Sequence, residues 1–600
     1  MENQDASHPE PVPAETIQRA VSPLRVWPAL FLVLLIAVFK FVPRSPDVMP
    51  LWWLYFAFMG PAACAIAMLL WWNGFSRARW RERVLGTLFI SAGLAVTYFL
   101  LDETMDVLGV IFLTIPVGFA LFGLSAWVAK SWTPQPRTTF IVLMTLLGFS
   151  VSILVRNQGI WGDYNFDLAW RWGATAEERA LAAQAETGNE AAVEIPAESF
   201  DQWLANPEWP GFRGPNRLSA QSGAGLAADW QEQKPVEVWR HPVGPAWSSF
   251  TVAGNLLFAQ EQQGEQEATV CYAADTGKRI WQQEVKTRFF EPMAGTGPRA
   301  TPTLAGDRLF VMGASGILQG LDPRTGEQFW QQDLKEIADR EAPMWGFSSS
   351  PLVIDGKVIV HAGGADNKGV YAFDAETGEI AWTAPAGGHT YSSPQACNIL
   401  GETYIAVYDD NGLYLYDPES GKVQLQHDWS DGEFRVMQPH MIGDDRMVLA
   451  AGTQAGTQMI QFERADDELK ASEVWTSRDL KSDYNDFVTL DGYLYGFDGA
   501  IFTCVDLATG KRMWKRGRYG KGQVILLKDI ARLLVISETG EVVLLEVNPE
   551  EHVERGSFKG LEGKTWNHPV VVGDRLFIRN GEEAACYRLP GSSTELAVIP

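Results

Sequence analysis

Hydrophobic residues are distributed along this chain in two unlike ways. Before residue 156 they gather in long runs at 27–42, 51–72, 84–101, 107–128 and 139–155, each near the ~20 apolar residues that a helix needs to cross a bilayer. This half predicts five transmembrane helices. From residue 236 to 590 apolar positions instead alternate with polar ones over short stretches bounded by Gly, Asp and Asn, the pattern of half-buried β-strands joined by tight turns.

The strand-rich half repeats itself. Residues 322–330, 374–382 and 506–514 share the form Asp-x-x-Thr-Gly-x-x-x-Trp. Looser copies at 273–281 and 417–425 keep Thr-Gly or Ser-Gly but carry Ala273 for the first Asp or Leu425 for the Trp. In each, a strand ends at an Asp whose carboxylate bonds turn N–H groups, Gly supplies positive φ, and the Trp lies on the next strand. Ahead of several copies stands a second hairpin turn, Gly306-Asp307, Asp355-Gly356 or Gly573-Asp574. Four strands per period of ~45 residues is the signature of propeller blades. Strand starts near Ser248, Thr301, Ser350, Ser393, Pro439, Phe487, Val524 and Pro569 count eight blades. The repeats starting near Pro439 and Val524 lack the Thr-Gly turn. Residues 236–243 read as a last strand without a blade and 566–589 as a blade without a last strand, so their pairing is expected to close the ring and remove its open edges.

Charge adds an orientation. The loop after the second run holds Arg77, Arg79, Arg81 and Arg83, the loop after the fourth holds Lys130 and Arg137, and the third loop carries only Asp102, Glu103 and Asp106. Cations retained on the cytoplasmic side place the tail 1–26 inside and everything after residue 155 outside. The expected location is the bacterial inner membrane with a periplasmic propeller. The net charge of −24 makes nucleic acid a poor partner for the exported half. The five cysteines, with no Cys-x-x-Cys-His, read as buried fillers rather than disulfides or a haem attachment.

Between the halves lies a connector, 156–235. Thr175-Ala176-Glu177-Glu178 has capping-box form and predicts a short helix to about Glu186; 188–198 is polar and reads as mobile. Residues 209–217, Trp-Pro-Gly-Phe-Arg-Gly-Pro-Asn-Arg, read as an ordered peg packed on the propeller face, with Arg213 in an anion site as the sharper alternative. A C-terminal tail, 591–600, follows the ring.

The Asp-x-x-Thr-Gly-x-x-x-Trp repeats resemble those of the pyrroloquinoline quinone (PQQ)-like β-propellers. That group holds quinoprotein alcohol and glucose dehydrogenases and the non-enzymatic propeller lipoprotein of the outer-membrane assembly machinery. Residues 209–217, 297–302, 345–351 and 493–496 are similar to a group of exported bacterial propellers. The resemblance implies an all-β eight-bladed propeller on an N-terminal bundle of five transmembrane helices, and is nearly silent on activity.

Two functions follow. The leading one is a scaffold tethered to the inner membrane, whose propeller binds a periplasmic protein, a glycan or a small molecule. The alternative is a PQQ-dependent dehydrogenase that oxidises a sugar or alcohol and passes electrons to ubiquinone, the layout of membrane glucose dehydrogenases. A quinone site needs a cation, usually calcium, held by carboxylate and amide oxygens, a carboxylate base, cationic side chains for the cofactor's carboxylates and an aromatic floor. Residues opening the innermost strands reach the channel of a propeller: Trp247, Arg299, Trp345, Tyr391, His440, Asp483, Asn485, Asp486, Gln523, Trp566, Asn567 and His568. Among them Asp483 and Asp486 are candidate bases, Asp483 and Asn485 candidate calcium ligands, and Arg299, Trp345, Tyr391, Asn485 and Trp566 candidate cofactor contacts. His389, His440 and His568 open different blades and read as separate hydrogen-bonded histidines. Asp102, Glu103 and Asp106 read as a solvated loop rather than the border of a quinone pocket.

Overall fold

The computed structural model describes residues 22–42, 51–187, 195–430, 434–466 and 468–591. The expected tail 1–26 lies outside the described residues up to position 21, as do 188–194 of the polar connector and 592–600. The chain forms a helical unit and a β unit.

Among the described residues of the helical unit, four helices are long and apolar enough to cross a membrane: Trp52–Gly74, Trp80–Leu100, Glu103–Val128 and Pro134–Leu154. The first run forms Trp27–Phe41, whose 15 residues fall short of the ~20 that span a bilayer. It stops because Val42 precedes Pro43 and is extended, φ −73° and ψ 135°, as a residue before proline prefers. Met68, Trp72, Phe119, Phe122 and Phe149 form the interior, while Phe31, Leu34, Trp52, Phe56, Leu88 and Phe99 stand more than half exposed on the outside, an apolar surface suited to lipid. Arg137, counted above among the loop cations, is buried and donates through Nε and Nη2 to both oxygens of Glu82 at 3.0 and 2.8 Å. Asp102 accepts from the Thr104 N–H and hydroxyl at 3.1 and 2.8 Å.

The β unit is an eight-bladed propeller. Its innermost strands are Thr251–Ala253, Thr303–Ala305, Leu352–Ile354, Gln395–Ile399, His440–Ile442, Val488–Leu490, Gln523–Leu527 and Val570–Val572, which number blades 1 to 8 in that order. Each lies within a few residues of the start read from sequence. Blade 8 takes its outermost strand from Val236–Pro242, which pairs antiparallel with Glu583–Arg588. The ring is closed as the sequence pattern implies.

The repeated motif interlocks neighbouring blades. Trp281 Nε1 donates to Pro323 O, Trp330 to Ala375 O and Trp382 to Pro418 O at 3.0–3.1 Å. The indole of one blade thus docks on the turn of the next. A Cβ at Gly326, Gly378 or Gly421 would lie 2.4–2.6 Å from that ring, so the turn glycine is required for close approach as well as for φ near +70°. Trp239 continues the pattern across the closure, donating to Ala274 O at 3.0 Å.

Two connector elements lie beyond the sequence reading. A ribbon, Val155–Ile160 with Phe166–Trp170, contains only short strands, and the helix Ala197–Ala205 begins inside the stretch expected to be mobile. That helix is amphipathic, with Leu204 buried against Leu256 and Phe258. The capping box forms as expected: Thr175 Oγ1 accepts from Glu178 N at 2.9 Å and Glu178 Oε2 from Thr175 N at 2.7 Å. All five cysteines are free and buried.

Candidate functional site

Side chains that open the innermost strands join the blades around the channel. Ser249 N donates to Thr301 Oγ1, Thr301 N to Ser350 Oγ, and Ser350 N to Ser393 Oγ, each at 2.9 Å. On the far side Asp486 N donates to Gln523 Oε1 at 3.0 Å, Gln523 Nε2 to Trp566 O at 3.1 Å, and Asn567 Nδ2 to Ser248 O at 2.8 Å. Gln523, Asn567 and their neighbours form a structural belt.

Inside this belt lies the peg. Trp209 exchanges backbone hydrogen bonds with Val252 of blade 1, and Leu304 N of blade 2 donates to Pro210 O at 2.8 Å. Arg217 donates to Ser350 O and Pro351 O of blade 3 and to Pro394 O of blade 4. Arg213 meets Asp486 and donates to Phe487 O of blade 6. Ala220 pairs with Leu526 of blade 7, and Ser219 Oγ lies 2.8 Å from His568 Nε2 of blade 8. A segment that touches the innermost edge of seven blades runs through the axis. The peg is therefore a plug in the channel and not a patch on the face.

The plug is strained and anchored. Arg213, Asn216, Arg217 and Ser219 all have φ between 51° and 62°, a left-handed region that costs non-glycine residues roughly 1 kcal/mol or more each. Gly214 has φ 71°, and a Cβ there would meet the Trp209 indole at 2.9 Å. Arg213 is the main anchor: its Nη2 lies 2.6 Å from Asp486 Oδ1 and its Nε 2.8 Å from Oδ2. Burial opposes ionisation of Asp486, but the Arg213 guanidinium, with His568 and Ser219, more than offsets it and holds the carboxyl below its usual range. Burial, reinforced by nearby Arg213, brings Arg217 down to about 9. Ser219, His568 and Asp486 share a buried cluster, yet Asp486 and Ser219 both face His568 Nε2 while Nδ1 faces Pro569 O at 2.7 Å. That is not the relay in which a carboxylate orients the ring nitrogen opposite the nucleophile.

The other candidates sit around the strand-start mouth. Asp483 is ion-paired to Lys521. Asn485 Nδ2 donates to Gly522 O at 3.2 Å. Arg299 donates to Gly297 O and Gly295 O, reaches Glu291 at 3.3 Å and lies over the Phe289 ring. Trp345 and Tyr391 have ring centroids 4.8 Å apart, with Phe434 4.8 Å from Trp345 and His389 3.1 Å from the Tyr391 hydroxyl. Trp566 lies 4.9 Å from Trp247 and donates to Glu538 Oε1 at 2.9 Å. Lys564 lies over both indoles and donates to Gln158 O and Ile160 O of the ribbon at 3.2 Å. His440 packs on Phe487, and burial brings it down to about 3. The three histidines stay apart, and among the described residues no three His, Cys, Asp or Glu side chains converge as metal ligands. On the opposite face a cavity of about 360 Å³ is lined by Trp203, Asn255, Asp275, Asp574 and Arg575.

These residues do not fit a quinone and its calcium. The chemistry asks for carboxylates open to a cation and to substrate and for cations open to the cofactor. Asp486 is taken by the plug, Asp483 by Lys521 and Arg299 by Glu291. The sequence reading expected an ordered peg at 209–217, with Arg213 in an anion site as the alternative, but not the route that carries it past seven blades to Asp486.

Comparison with known proteins places the repeats. A family model described as outer membrane protein assembly factor BamB matches residues 225–342 and 266–516. The outer membrane protein assembly factor BamB of Yersinia pestis is 23% identical over 363 residues, 58% of this chain and 77% of that protein. Quinohemoprotein alcohol dehydrogenase ADH-IIG of Pseudomonas putida is 29% identical over 170 residues, 25% of this chain and 23% of the dehydrogenase. Among solved structures, BamB from Moraxella catarrhalis is 15% identical, covers 59% of this chain and 98% of its own, and superposes with a TM-score of 0.41. The repeats of this chain are similar to those of PQQ-like β-propellers.

Proposed function

We infer that this protein is a docking scaffold, an inner-membrane anchor that presents a propeller in the periplasm to a protein partner. Residues 1–26 form its cytoplasmic tail, 27–155 the membrane anchor, 156–235 the connector with its plug, 236–590 the propeller and 591–600 a tail. One observation carries the reading: the channel is filled by the chain's own peg, and the carboxylates best placed for chemistry are spent holding it and its surroundings. The faces and rim remain for recognition. Similarity to assembly factors of the outer membrane supports a protein as partner in preference to a glycan or small molecule, and the Arg-rich second loop supports the orientation.

The test is a calorimetric titration of PQQ with calcium into the purified full chain, paired with a dye-linked assay on sugars and alcohols. No saturable heat and no dye reduction are expected. Binding accompanied by turnover would replace this reading with a quinoprotein dehydrogenase.

A further inference from the structure

The outermost strands bring their free edges to the rim of the propeller, and one differs from all the others in charge. Arg279–Val285, Gln328–Asp333, Ile380–Ala384, Val423–Asp428, Glu468–Ser477, Glu554–Lys559 and Val236–Pro242 are each within one charge of neutral. The strand of blade 6, Arg512–Arg518, reads Arg-Met-Trp-Lys-Arg-Gly-Arg, four cations and no acid. It stands on a chain whose net charge is −24.

Internal pairing accounts for only part of that charge. Arg512 Nη2 and Lys515 Nζ each lie 2.7 Å from Oδ2 of Asp498, and Lys481 Nζ lies 3.0 Å from its Oδ1. One buried carboxylate thus serves three cations, and Asp479 adds a second partner for Arg512 at 3.0 Å. Arg516 and Arg518 are exposed, and among the described residues no carboxylate lies within ion-pair distance of either. Gly517 between them has φ 78° and the pairing register shifts there, so a bulge separates the two cations along the strand. Met513 beside them is 46% exposed. The strand pairs on one side with Ile501–Asp506, and among the described residues its other edge has no strand partner.

We propose that the blade 6 edge, Arg512–Arg518, binds an extended acidic segment of a protein partner as an added strand. This rests on the docking reading and names its surface. An open edge offers backbone N–H and C=O groups that an incoming strand satisfies. Acidic residues of that strand meet Arg516 and Arg518, on either side of the bulge at Gly517, and an apolar residue covers Met513. An anionic lipid surface would use the charge but leave the edge groups and Met513 unmatched, so a protein segment is the better fit.

The test uses the full chain in detergent and a fluorescein-labelled peptide of alternating Glu and Thr, with a Lys-Thr peptide and phosphatidylglycerol vesicles as the other arms. Fluorescence anisotropy is expected to show binding of the Glu-Thr peptide only, weakened ~10-fold or more in R516E/R518E. Hydrogen–deuterium exchange at 512–518 is expected to slow on binding. Failure to bind, binding unchanged in R516E/R518E, binding without slowed exchange, or preference for the vesicles each overturns the proposal. A silent peptide titration beside a silent cofactor titration removes only this surface, whereas cofactor turnover removes the docking reading itself.

Discussion

Arg213 and Asp486 are 1% and 2% exposed, and the cost of hiding two charges is offset only while both are present. Arg213→Met leaves the buried carboxylate with Ser219, His568 and the Phe487 N–H but no cation, and is expected to cost about 3–5 kcal/mol, read from urea unfolding followed by Trp fluorescence. The R213M/D486N double variant is expected to recover most of that loss. Equal losses in the single and double variants would mean that packing, not charge, holds the plug. Asp409 carries a different prediction. It is fully buried and accepts from Gly387 N at 2.7 Å and Asn411 N at 2.9 Å; burial, against those bonds, pushes it from 3.8 up to about 7. Between those values the folded state binds a proton that the unfolded state has released. Its contribution to stability therefore falls as pH rises through that window, by roughly 1.4 kcal/mol per unit, and is level above it. His361 and His440, brought by burial down to about 4 and about 3, act in the opposite sense and lose stability as pH falls below 6.5. The measurement is thus the difference between wild type and D409N across the window, and a flat difference contradicts the assignment.

Elements of this propeller are stitched at regular places, which is why so much of the ring was legible. Trp on one blade and the turn of the next are two halves of a single contact, though blade 7 lacks Thr-Gly and Trp514 of blade 6 still donates to its Asn548 O at 2.9 Å. Leu425 stands where blade 4 should carry its Trp, and blade 5, which follows, lacks the Thr-Gly turn. The ribbon, the helix Ala197–Ala205 and the route of the peg were not legible, because each is stabilised by distant residues rather than by its own pattern. Arg213 and Asp486 are separated by 273 positions, and neither identifies the other. The closing strand was readable because it lacked a blade of its own. Deleting 236–243 exposes the edge of Glu583–Arg588 and removes Trp239 from its place on the blade 1 turn. Loss of a cooperative thermal transition is expected by differential scanning calorimetry, and an intact transition at the wild-type temperature would show that the ring is held without this strand.

For the molecule as a whole, the apolar runs announced helices long and apolar enough to cross a membrane and the repeats a propeller, since both signals depend on local periodicity. What fills the channel depends on seven blades at once, and no local period records it. The closing strand and the peg also set an order of events. Both are synthesised before blade 1, while their partners Glu583–Arg588 and His568 come only after seven blades have been made. Completion of the ring is thus one late, non-local step of the slow kind, reached after a long interval in which a sheet edge and a strained loop wait unpaired. During that interval the nascent domain is exposed to chaperones and proteases, so the chain's yield in the cell is governed by its last strands as much as by the stability of the finished fold.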